Sequence, residues 1–435
     1  MTARTADWLT VTDALAHMLD RLAPLGHESV PLLQAGGRVL AEPVISPLDL
    51  PPWDNSGMDG YAVHAADVRG ATQQAPVSLL LAGDVPAGSF AAGPLARGTA
   101  IRIMTGAPVP AGADSVIRVE HTRSAGERVL VLSDADAGRN VRPRGEDMRA
   151  SETVLQAGTR LGAAQVGVLA SVGRADVIVQ RAPRVAVLAT GDELVEVAEF
   201  AEVLAGRRIV NSNSHALHAG LHGLGAVPQL LGIAADREAA LRAALEPAID
   251  ADALIVTAGA SVGEHDLVKD VLEGMGMRTG FWRVRMRPGS PFGFGTIARG
   301  SMPALPVFNL PGNPVSTVVT FEVLVRAALR RLLGCARVYP RTIRVRAAEP
   351  IPSRRGLMHF LRVALDQEEG GEWQARLTGA QGSGMLTSLT RADALLIVPE
   401  TSAGIAAGAP ALALPLWGNH DGQAAPRFEM TMEEE

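Results

Sequence analysis

The stretch VAVLATGDE, residues 185–193, joins an apolar run of strand-forming residues to a polar turn that contains glycine. The apolar part predicts a short buried strand over 185–189, and Gly191 marks the turn that ends it. Further along, short apolar runs alternate with helical patterns, the runs at 227–233, 253–256 and 305–310 and the helices at 214–224, 236–249, 266–275 and 315–333. Strands that alternate with helices at this spacing predict βαβ units and a mostly parallel sheet. We expect this α/β domain to cover residues 183–335.

Three loops of this domain follow predicted strands, and they should meet at the carboxyl edge of the sheet, where ligands of open α/β sheets bind. They are the segments 190–193 (TGDE), 259–266 (GASVGEHD) and 310–314 (LPGNP). Glycine lets backbone N–H groups approach a phosphate closely, and the N-terminus of a following helix favours an anion. One such loop alone is more often a simple turn, but three at one edge favour a phosphate site.

Carboxylates accompany these loops at the same edge. Glu193 and Asp266 lie in the loops themselves, and Asp236 follows a strand as the predicted N-cap of the next helix. Carboxylates beside a phosphate require a divalent cation between them, and Mg²⁺ takes oxygen ligands. The pattern therefore indicates metal-assisted cleavage of a phosphate ester or anhydride.

The rest of the chain divides into further predicted parts. These are a mixed N-terminal domain at 1–46 plus 150–182, a β-rich module at 47–149, a C-terminal β domain at 340–417 and a disordered tail at 418–435. The N-terminal domain is expected to begin with an amphipathic helix over 10–25. The fold class is therefore multidomain α/β and β.

Composition excludes several classes of protein. The net charge is −6 and no long basic run occurs, which argues against a nucleic acid partner. No apolar run reaches the ~18 residues of a membrane span, and the N-terminus lacks the layout of a signal peptide. Cys335 is the only cysteine, so a disulfide framework and a cysteine metal site are not expected, which suits a cytoplasmic protein. No Walker sequence is present, which disfavours ATP hydrolysis.

The segment 51–63, PPWDNSGMDGYAV, carries a resemblance to a known family. It is similar to the P-P-x-D-N-S-x-M-D-G-Y-A-V sequence of the molybdopterin molybdenumtransferase family, which includes MoeA and the gephyrin E domain. Further matches follow in the order of the family, at 103–107, 144–147, 190–194, 211–214, 261–264, 310–314 and 381–383. Together they cover almost the whole chain, and the ordered set is highly specific.

The resemblance implies an enzyme of molybdenum cofactor biosynthesis. Such an enzyme inserts molybdate into adenylylated molybdopterin, cleaves the pyrophosphate bond with Mg²⁺ and releases AMP. The implied protein is an elongated homodimer with a three-layer α/β molybdopterin-binding domain, an N-terminal domain that takes part in dimerisation and a barrel-like C-terminal domain. Its active site lies between the α/β domain of one subunit and the β-rich module of the other. A contact with the molybdopterin adenylyltransferase is a further expectation.

The resemblance also implies site residues, position by position. The acidic residues of the family's site fall on Asp59, Asp147, Glu193, Asp236 and Asp266, with Thr105 in a motif used beside them. Glu193, Asp236 and Asp266 are the expected Mg²⁺ ligands. The expected substrate-binding set is Thr190, Gly191, Asp192, Gly259, Ser261, Gly263, Lys269, Arg287, Ser290, Pro311, Gly312, Asn313, Arg362 and Ser383. Within it, Arg362 and Ser383 are expected to bind molybdate, since a dianion favours Arg and hydroxyl groups. One Arg alone is more often a surface arginine in an ion pair.

Several positions depart from the family or stand apart from it. Ser290 and Leu357 replace cations that the family often has, which predicts weaker binding of an oxyanion there and leaves a less active paralogue open. Lys269 is the only lysine and lies one helical turn after Asp266. Either a compact ammonium is needed near the phosphates or the Asp266 carboxylate, or Lys269 forms a solvated ion pair. His215, His218 and His222 share a helix face, but nothing nearby completes a metal site, so we interpret them as packed or solvated.

Other functions remain open at this stage. One is the adenylyltransferase that precedes insertion, although the 51–63 and 144–147 segments and the C-terminal domain favour insertion. Another is a scaffold that binds molybdopterin without turnover, which the presence of all the acidic residues disfavours. Molybdate and tungstate are nearly the same size, so the sequence does not separate them.

Overall fold

The computed structural model describes residues 8–86, 88–258, 266–367 and 372–416. The α/β domain is built on a six-stranded central sheet. In spatial order its strands are Val227–Ala234, Arg184–Thr190, Ala253–Ala258, Met302–Pro311, Gly293–Arg299 and Met277–Phe281. The first four strands are parallel and the last two are antiparallel to their neighbours. This confirms the predicted mostly parallel sheet, with each predicted strand one to four residues longer than the apolar run that indicated it.

Helices cover both faces of the central sheet and make it the middle of three layers. They are Ser212–Leu224, Glu238–Leu245, Leu267–Gly274 and Pro314–Thr320, the last continued by a π-helical segment at Phe321–Val325 and by Arg326–Leu332. Alternate residues of one strand point to opposite faces: Val185 and Val187 belong to one buried apolar cluster, Ala186 and Leu188 to the other. A strand that is apolar at every position is therefore the expected sequence for this place.

The N-terminal helix is shorter than predicted, at Val11–Leu19. Thr10 caps it by accepting a hydrogen bond from the Asp13 backbone N–H at 3.0 Å. The helix cannot continue through Pro24, whose ring and missing N–H are incompatible with a helix interior. Its buried side chains pack into the apolar cluster of the central sheet.

Small elements link the N-terminal residues to residues 150–182. The strand His27–Pro31 pairs with Asp176–Gln180, and Val44–Ile45 pairs with Thr153–Leu155. The helix Ala163–Ser171 packs beside them. These pairings join the two segments that we predicted to form one domain; the boundaries themselves stay a prediction.

The β-rich module is confirmed. Its sheet has six strands in the order Ser115–Arg118, Gly60–Val63, Thr99–Ile103, Val77–Val85, Arg128–Val131 and Thr122–Ala125. A short pair, Asn55–Ser56 with Val141–Arg142, holds the 51–63 segment against the module.

The C-terminal domain is a closed barrel, as the resemblance implied. Five strands follow one another around it and the last pairs with the first: Met358–Gln367, Trp373–Leu377, Ile343–Ala347, Pro410–Pro415 and Ala394–Val398. Outside the barrel, Met286–Arg287 of the α/β domain pairs with Met358 and His359. The α/β domain and the barrel thus share a continuous stretch of backbone hydrogen bonding.

No helix in the described ranges is both long enough and apolar enough to cross a bilayer.

Candidate active site

The carboxyl ends of the parallel strands meet at one edge of the central sheet, as predicted. The strands end at Thr190, Ala234, Ala258 and Pro311. The loop after Ala258, with the predicted site residues Gly259, Ser261 and Gly263, lies outside the described residues. We call the described part of this edge, 190–193 with 235–236 and 311–313, the acidic edge.

Asp236 lies among other carboxylates at the acidic edge. Its backbone N–H donates a hydrogen bond to Asp192 Oδ1 at 3.3 Å. Partial burial raises the pKa of Asp236, and the charges of Asp192 and Glu193 raise it further. A divalent cation would remove this repulsion, so the donor set fits Mg²⁺.

The predicted role of Asp236 as an N-cap was wrong. The helix begins at Glu238, with Arg237 at the cap position. A tight turn explains this, because the Arg237 N–H bonds to the Ala235 carbonyl at 2.7 Å and delays the start of the helix. The side chain of Asp236 therefore does not cap the helix, and it accepts a hydrogen bond from the Thr190 side chain.

Gly191 allows the chain to turn at this edge. Its φ is +149°, which side-chain-bearing residues rarely adopt. A Cβ there would also lie 2.6 Å from Glu193 Oε2. Any other residue at 191 would displace the Glu193 carboxylate.

Asp266, predicted as the first residue of a helix, instead caps the helix Leu267–Gly274. Its Oδ1 accepts a hydrogen bond from the Lys269 backbone N–H at 3.2 Å, and its Oδ2 accepts one from Trp282 Nε1 at 3.0 Å. Each oxygen keeps a further lone pair for another partner. Sequence analysis missed Trp282, which is half-buried; the only available signal was that an indole N–H shielded from water needs an acceptor.

The ammonium group of Lys269 does not lie on Asp266. Its Nζ is 3.8 Å from Glu273 Oε1 and 5.8 Å from the centre of the Trp282 ring. Of the two interpretations of this single lysine, the geometry agrees with the half-exposed ion pair.

The predicted metal ligands do not yet form a coordination shell. Within the ranges that the structure describes, no three or more His, Cys, Asp or Glu side chains are grouped so as to hold a metal ion. The ring of His215 instead bonds to the Asn211 carbonyl through Nδ1 at 2.9 Å.

Asp59 and Thr105 form a pair on the β-rich module. Asp59 Oδ1 accepts hydrogen bonds from the Thr105 N–H and from its hydroxyl, both at 2.7 Å. These bonds hold the pKa of Asp59 below its ordinary value. The module also carries Asp147, which is exposed and donates its backbone N–H to the Leu50 carbonyl at 3.0 Å. The module that carries Asp59 and Asp147 is thus built on a different sheet from the acidic edge.

A cleft of about 980 Å³ lies between the α/β domain and the barrel. Its wall brings together the predicted residues Arg287, Ser290, Arg362 and Ser383, with Leu357 beside them. Arg354 adds a third guanidinium, and no Asp or Glu occurs among the described residues of this wall. We call it the cationic cleft, because this set favours an anion.

Arg362 has a different role from the one expected. Its side chain is fully buried, which rules out a surface ion pair. It donates hydrogen bonds to the carbonyls of Ala380, Gln381 and Gly382 at 3.0 to 3.3 Å, and to Ser388 Oγ at 3.0 Å. Burial lowers its pKa. Arg362 therefore fixes the loop that precedes Ser383, and most of its donors are already used there.

The helix that follows the loop 311–313 of the acidic edge contacts the wall of the cationic cleft. The Val315 N–H donates to the Ser383 carbonyl at 3.1 Å, and Asn213 Nδ2 donates to the Gly312 carbonyl at 2.7 Å. The first bond ties the helix after this loop to the cleft wall, and the second holds the loop itself against the helix Ser212–Leu224.

Three further residues of the cleft wall were missed by sequence analysis: Ser353, Arg354 and His359. The strand pattern predicted a β segment here, but not which side chains would face the α/β domain.

Comparison with known proteins agrees with this geometry. The MoeA N-terminal region (domain I and II) matches residues 9–173, a probable molybdopterin binding domain matches residues 186–331, and the MoeA C-terminal region (domain IV) matches residues 344–416. The chain belongs to the MoeA family. The resemblance found in the sequence is confirmed.

Curated relatives extend over most of the chain. A molybdopterin molybdenumtransferase of Nostoc is 38% identical over 89% of this chain and 88% of its own. Molybdopterin molybdenumtransferase 2 of Mycobacterium tuberculosis is 39% identical over 91% and 95%. Among solved structures, a molybdopterin biosynthesis MoeA protein of Pyrococcus horikoshii has a TM-score of 0.80 at 30% identity, over 94% of this chain and all of its own. By name, these relatives are transferases of molybdopterin metabolism.

Proposed function

We propose that this MoeA family member transfers molybdate into adenylylated molybdopterin, cleaving the pyrophosphate bond and releasing AMP. The observation that supports this most is the cleft suited to an oxyanion, which contacts the helix that follows the loop 311–313 of the sheet edge suited to a cation and a phosphate. A transfer from one anion site to a phosphate ester needs these two sites next to each other.

The acidic edge would hold the nucleotide end of the substrate. Glu193, Asp236 and Asp266 would hold Mg²⁺, which neutralises charge on the pyrophosphate oxygens and so favours cleavage of the bond. Thr190, Gly191 and the loop 311–313 would orient the phosphates through their backbone groups. The repulsion that raises the pKa of Asp236 falls when the cation binds.

The cationic cleft would hold molybdate as a substrate. Arg287 and Arg354 supply charge and Ser383 supplies a hydroxyl group, whereas the Ser290 hydroxyl already donates to the Met286 carbonyl. Arg362 acts on molybdate through the loop whose backbone it fixes. Tungstate would fit the same groups.

A homodimer would complete the site. We propose that Asp59, Thr105 and Asp147 act from the partner's module, because their described hydrogen bonds stay inside the module. Two acidic sets on separate domains then serve one reaction.

We further propose a cytoplasmic location, since the single cysteine, Cys335, is partly buried and free. A contact with the adenylyltransferase would pass the adenylylated substrate directly.

The decisive experiment is AMP release from adenylylated molybdopterin with Mg²⁺, with and without molybdate. We expect release that depends on molybdate, loss of it in Asp59→Asn and Asp236→Asn, and no loss in Asp20→Asn, a matched change at an exposed helix end. Tight binding of the nucleotide without release would instead establish a scaffold. A parallel assay with tungstate would compare the two oxyanions.

A further inference from the structure

One wall of the cationic cleft carries two polar atoms without hydrogen-bond partners. They are His359 Nε2 and Ser353 Oγ, both buried. The His359 side chain belongs to a residue only 6% exposed. A buried nitrogen and a buried hydroxyl without partners each cost free energy, so such atoms in a cleft wall indicate a ligand that supplies partners.

His359 is held in place on the cleft wall by its backbone. It pairs with Arg287 on one side and with Val398 on the other. The Ser353 N–H bonds to the Ala403 carbonyl at 2.9 Å, which fixes the neighbouring turn. The two unpartnered atoms are therefore parts of an ordered wall.

The surroundings of His359 are cationic. The charged groups on the segments packed against it are Arg285, Arg287, Arg354, Arg355 and Glu400. Glu400 is engaged elsewhere, since its Oε2 lies 3.7 Å from Arg285 Nε. Burial, and then the charge of Arg287, lowers the pKa of His359, while a hydrogen bond to the Arg354 backbone raises it in part.

We propose, building on the proposed function, that His359 and Ser353 form an oxyanion subsite and that His359 takes up one proton as the anion binds. In the free protein the ring is neutral, because burial and Arg287 disfavour a positive charge. A dianion in the cleft reverses that balance. Nε2 then takes a proton from the buffer and donates a hydrogen bond to an anion oxygen, and the Ser353 hydroxyl donates a second.

Proton uptake makes a measurable prediction about affinity. Since the anion prefers the protonated ring, the affinity falls as the pH rises from the free pKa of His359 towards its pKa in the complex. With one proton coupled, the fall approaches about tenfold per pH unit within that window. Above the pKa in the complex the affinity becomes constant.

The test is isothermal titration calorimetry of the full chain with sodium molybdate and, separately, with sodium sulfate, between about pH 6 and pH 8.5. Each titration is run in two buffers of different ionisation enthalpy, which counts the protons taken up. We expect close to one proton per anion near neutral pH. Sulfate carries no proton in this range, so uptake with sulfate assigns the proton to the protein.

Matched variants locate the proton. His359→Gln should abolish both the uptake and the pH dependence of the affinity. His222→Gln, a change at an exposed histidine of the α/β domain, should behave as the wild type. Ser353→Ala should lower the affinity for the anion by about tenfold at every pH and leave the proton uptake unchanged. Thermal melts confirm that each variant is folded.

Three outcomes would overturn the subsite. They are binding without uptake in the wild type, uptake that persists in His359→Gln, and no binding of either anion. AMP release on the same preparations separates this result from the proposed function. Normal molybdate-dependent release of AMP without proton uptake would contradict the proposed subsite and leave the proposed function standing. Proton uptake without any release of AMP would contradict the proposed function and leave the subsite standing.

Discussion

At the scale of single residues, identity was easier to predict than role. Arg362 was expected to bind the oxyanion, and it does lie in the wall of the cleft. Its hydrogen bonds, however, go to the backbone of its own domain. A motif shows which residue is needed at a position. Burial and hydrogen-bond partners decide whether that residue contacts the substrate or instead supports the residues that contact it.

Replacing Arg362 by Ala should therefore reduce stability as well as activity. The change leaves the carbonyls of 380–382 and the Ser388 hydroxyl without their donor, at a cost of about 2–4 kcal/mol in the free energy of unfolding. Chemical denaturation measures it. Arg376→Ala, at an exposed site of the same barrel, is the control and should cost little. Equal stability of the two variants would contradict a structural role.

Asp236 predicts opposite effects on stability and on activity. A carboxyl with a raised pKa is less stable as an anion in the folded chain than in the unfolded chain. Its cost is therefore present above the raised folded pKa and disappears as the pH falls below the unfolded pKa. Asp236→Asn should raise the melting temperature slightly at neutral pH, because the residue is exposed enough for solvent to screen the repulsion, and should abolish AMP release.

The same raised pKa predicts that the activity of the wild type decreases at acidic pH. AMP release should decrease as the pH falls through the pKa of Asp236, and more Mg²⁺ should shift this decrease to lower pH, because the cation favours the carboxylate. A decrease that does not move with Mg²⁺ would show that Asp236 does not hold the cation.

At the scale of elements, periodicity predicted what packs locally. The run 185–189 predicted the strand Arg184–Thr190, because a strand covered on both faces is apolar at every position. Predictions failed where a single local hydrogen bond sets the boundary of an element. The bond between Ala235 and Arg237, for example, delays the start of the helix after Asp236. The sequence predicted several residues of the cationic cleft but not that they would form one cleft. It exists because Met286–Arg287 pairs with the edge of a barrel strand far along the chain.

The N-terminus of the helix Leu267–Gly274 gives a prediction at this scale. Trp282 directly follows the strand Met277–Phe281, and its indole N–H donates a hydrogen bond to the capping carboxylate of Asp266. Trp282→Phe keeps the ring but removes the N–H donor. We expect the Mg²⁺ concentration needed for half-maximal AMP release to rise by about tenfold, with little change in the melting temperature, since a hydrogen bond to a charged acceptor is lost.

Trp373→Phe, a change of the same kind in the barrel, is the matched control and should leave the Mg²⁺ requirement unchanged. An unaltered requirement in Trp282→Phe would show that the indole does not position Asp266.

At the scale of the whole molecule, the site residues lie on three domains. The cleft lies between the α/β domain and the barrel, the acidic edge belongs to the α/β domain, and Asp59 and Thr105 lie on the module. If the proposed dimer is correct, Asp59→Asn and Asp236→Asn damage different halves of the same site. Mixing the two inactive variants after exchange of subunits should then restore about a quarter of the wild-type rate, since half the dimers are mixed and each holds one intact site.

Co-expression of two differently tagged variants, followed by tandem purification, isolates the mixed dimer for this assay. A mixed dimer with no AMP release would show that both carboxylates act within one chain. Two copies of Asp59→Asn serve as the control and should stay inactive.

Backbone hydrogen bonds cross the boundary between the α/β domain and the barrel at two places, from Met358 to Arg285 at 3.0 Å and from Val315 to Ser383 at 3.1 Å. The cleft between the two domains therefore cannot widen or narrow around a bound anion without breaking these hydrogen bonds. Two oxyanions of equal charge and nearly equal radius would make nearly the same contacts in such a fixed pocket. We therefore expect similar affinities for molybdate and tungstate, so that the metal this protein handles follows the supply of each oxyanion.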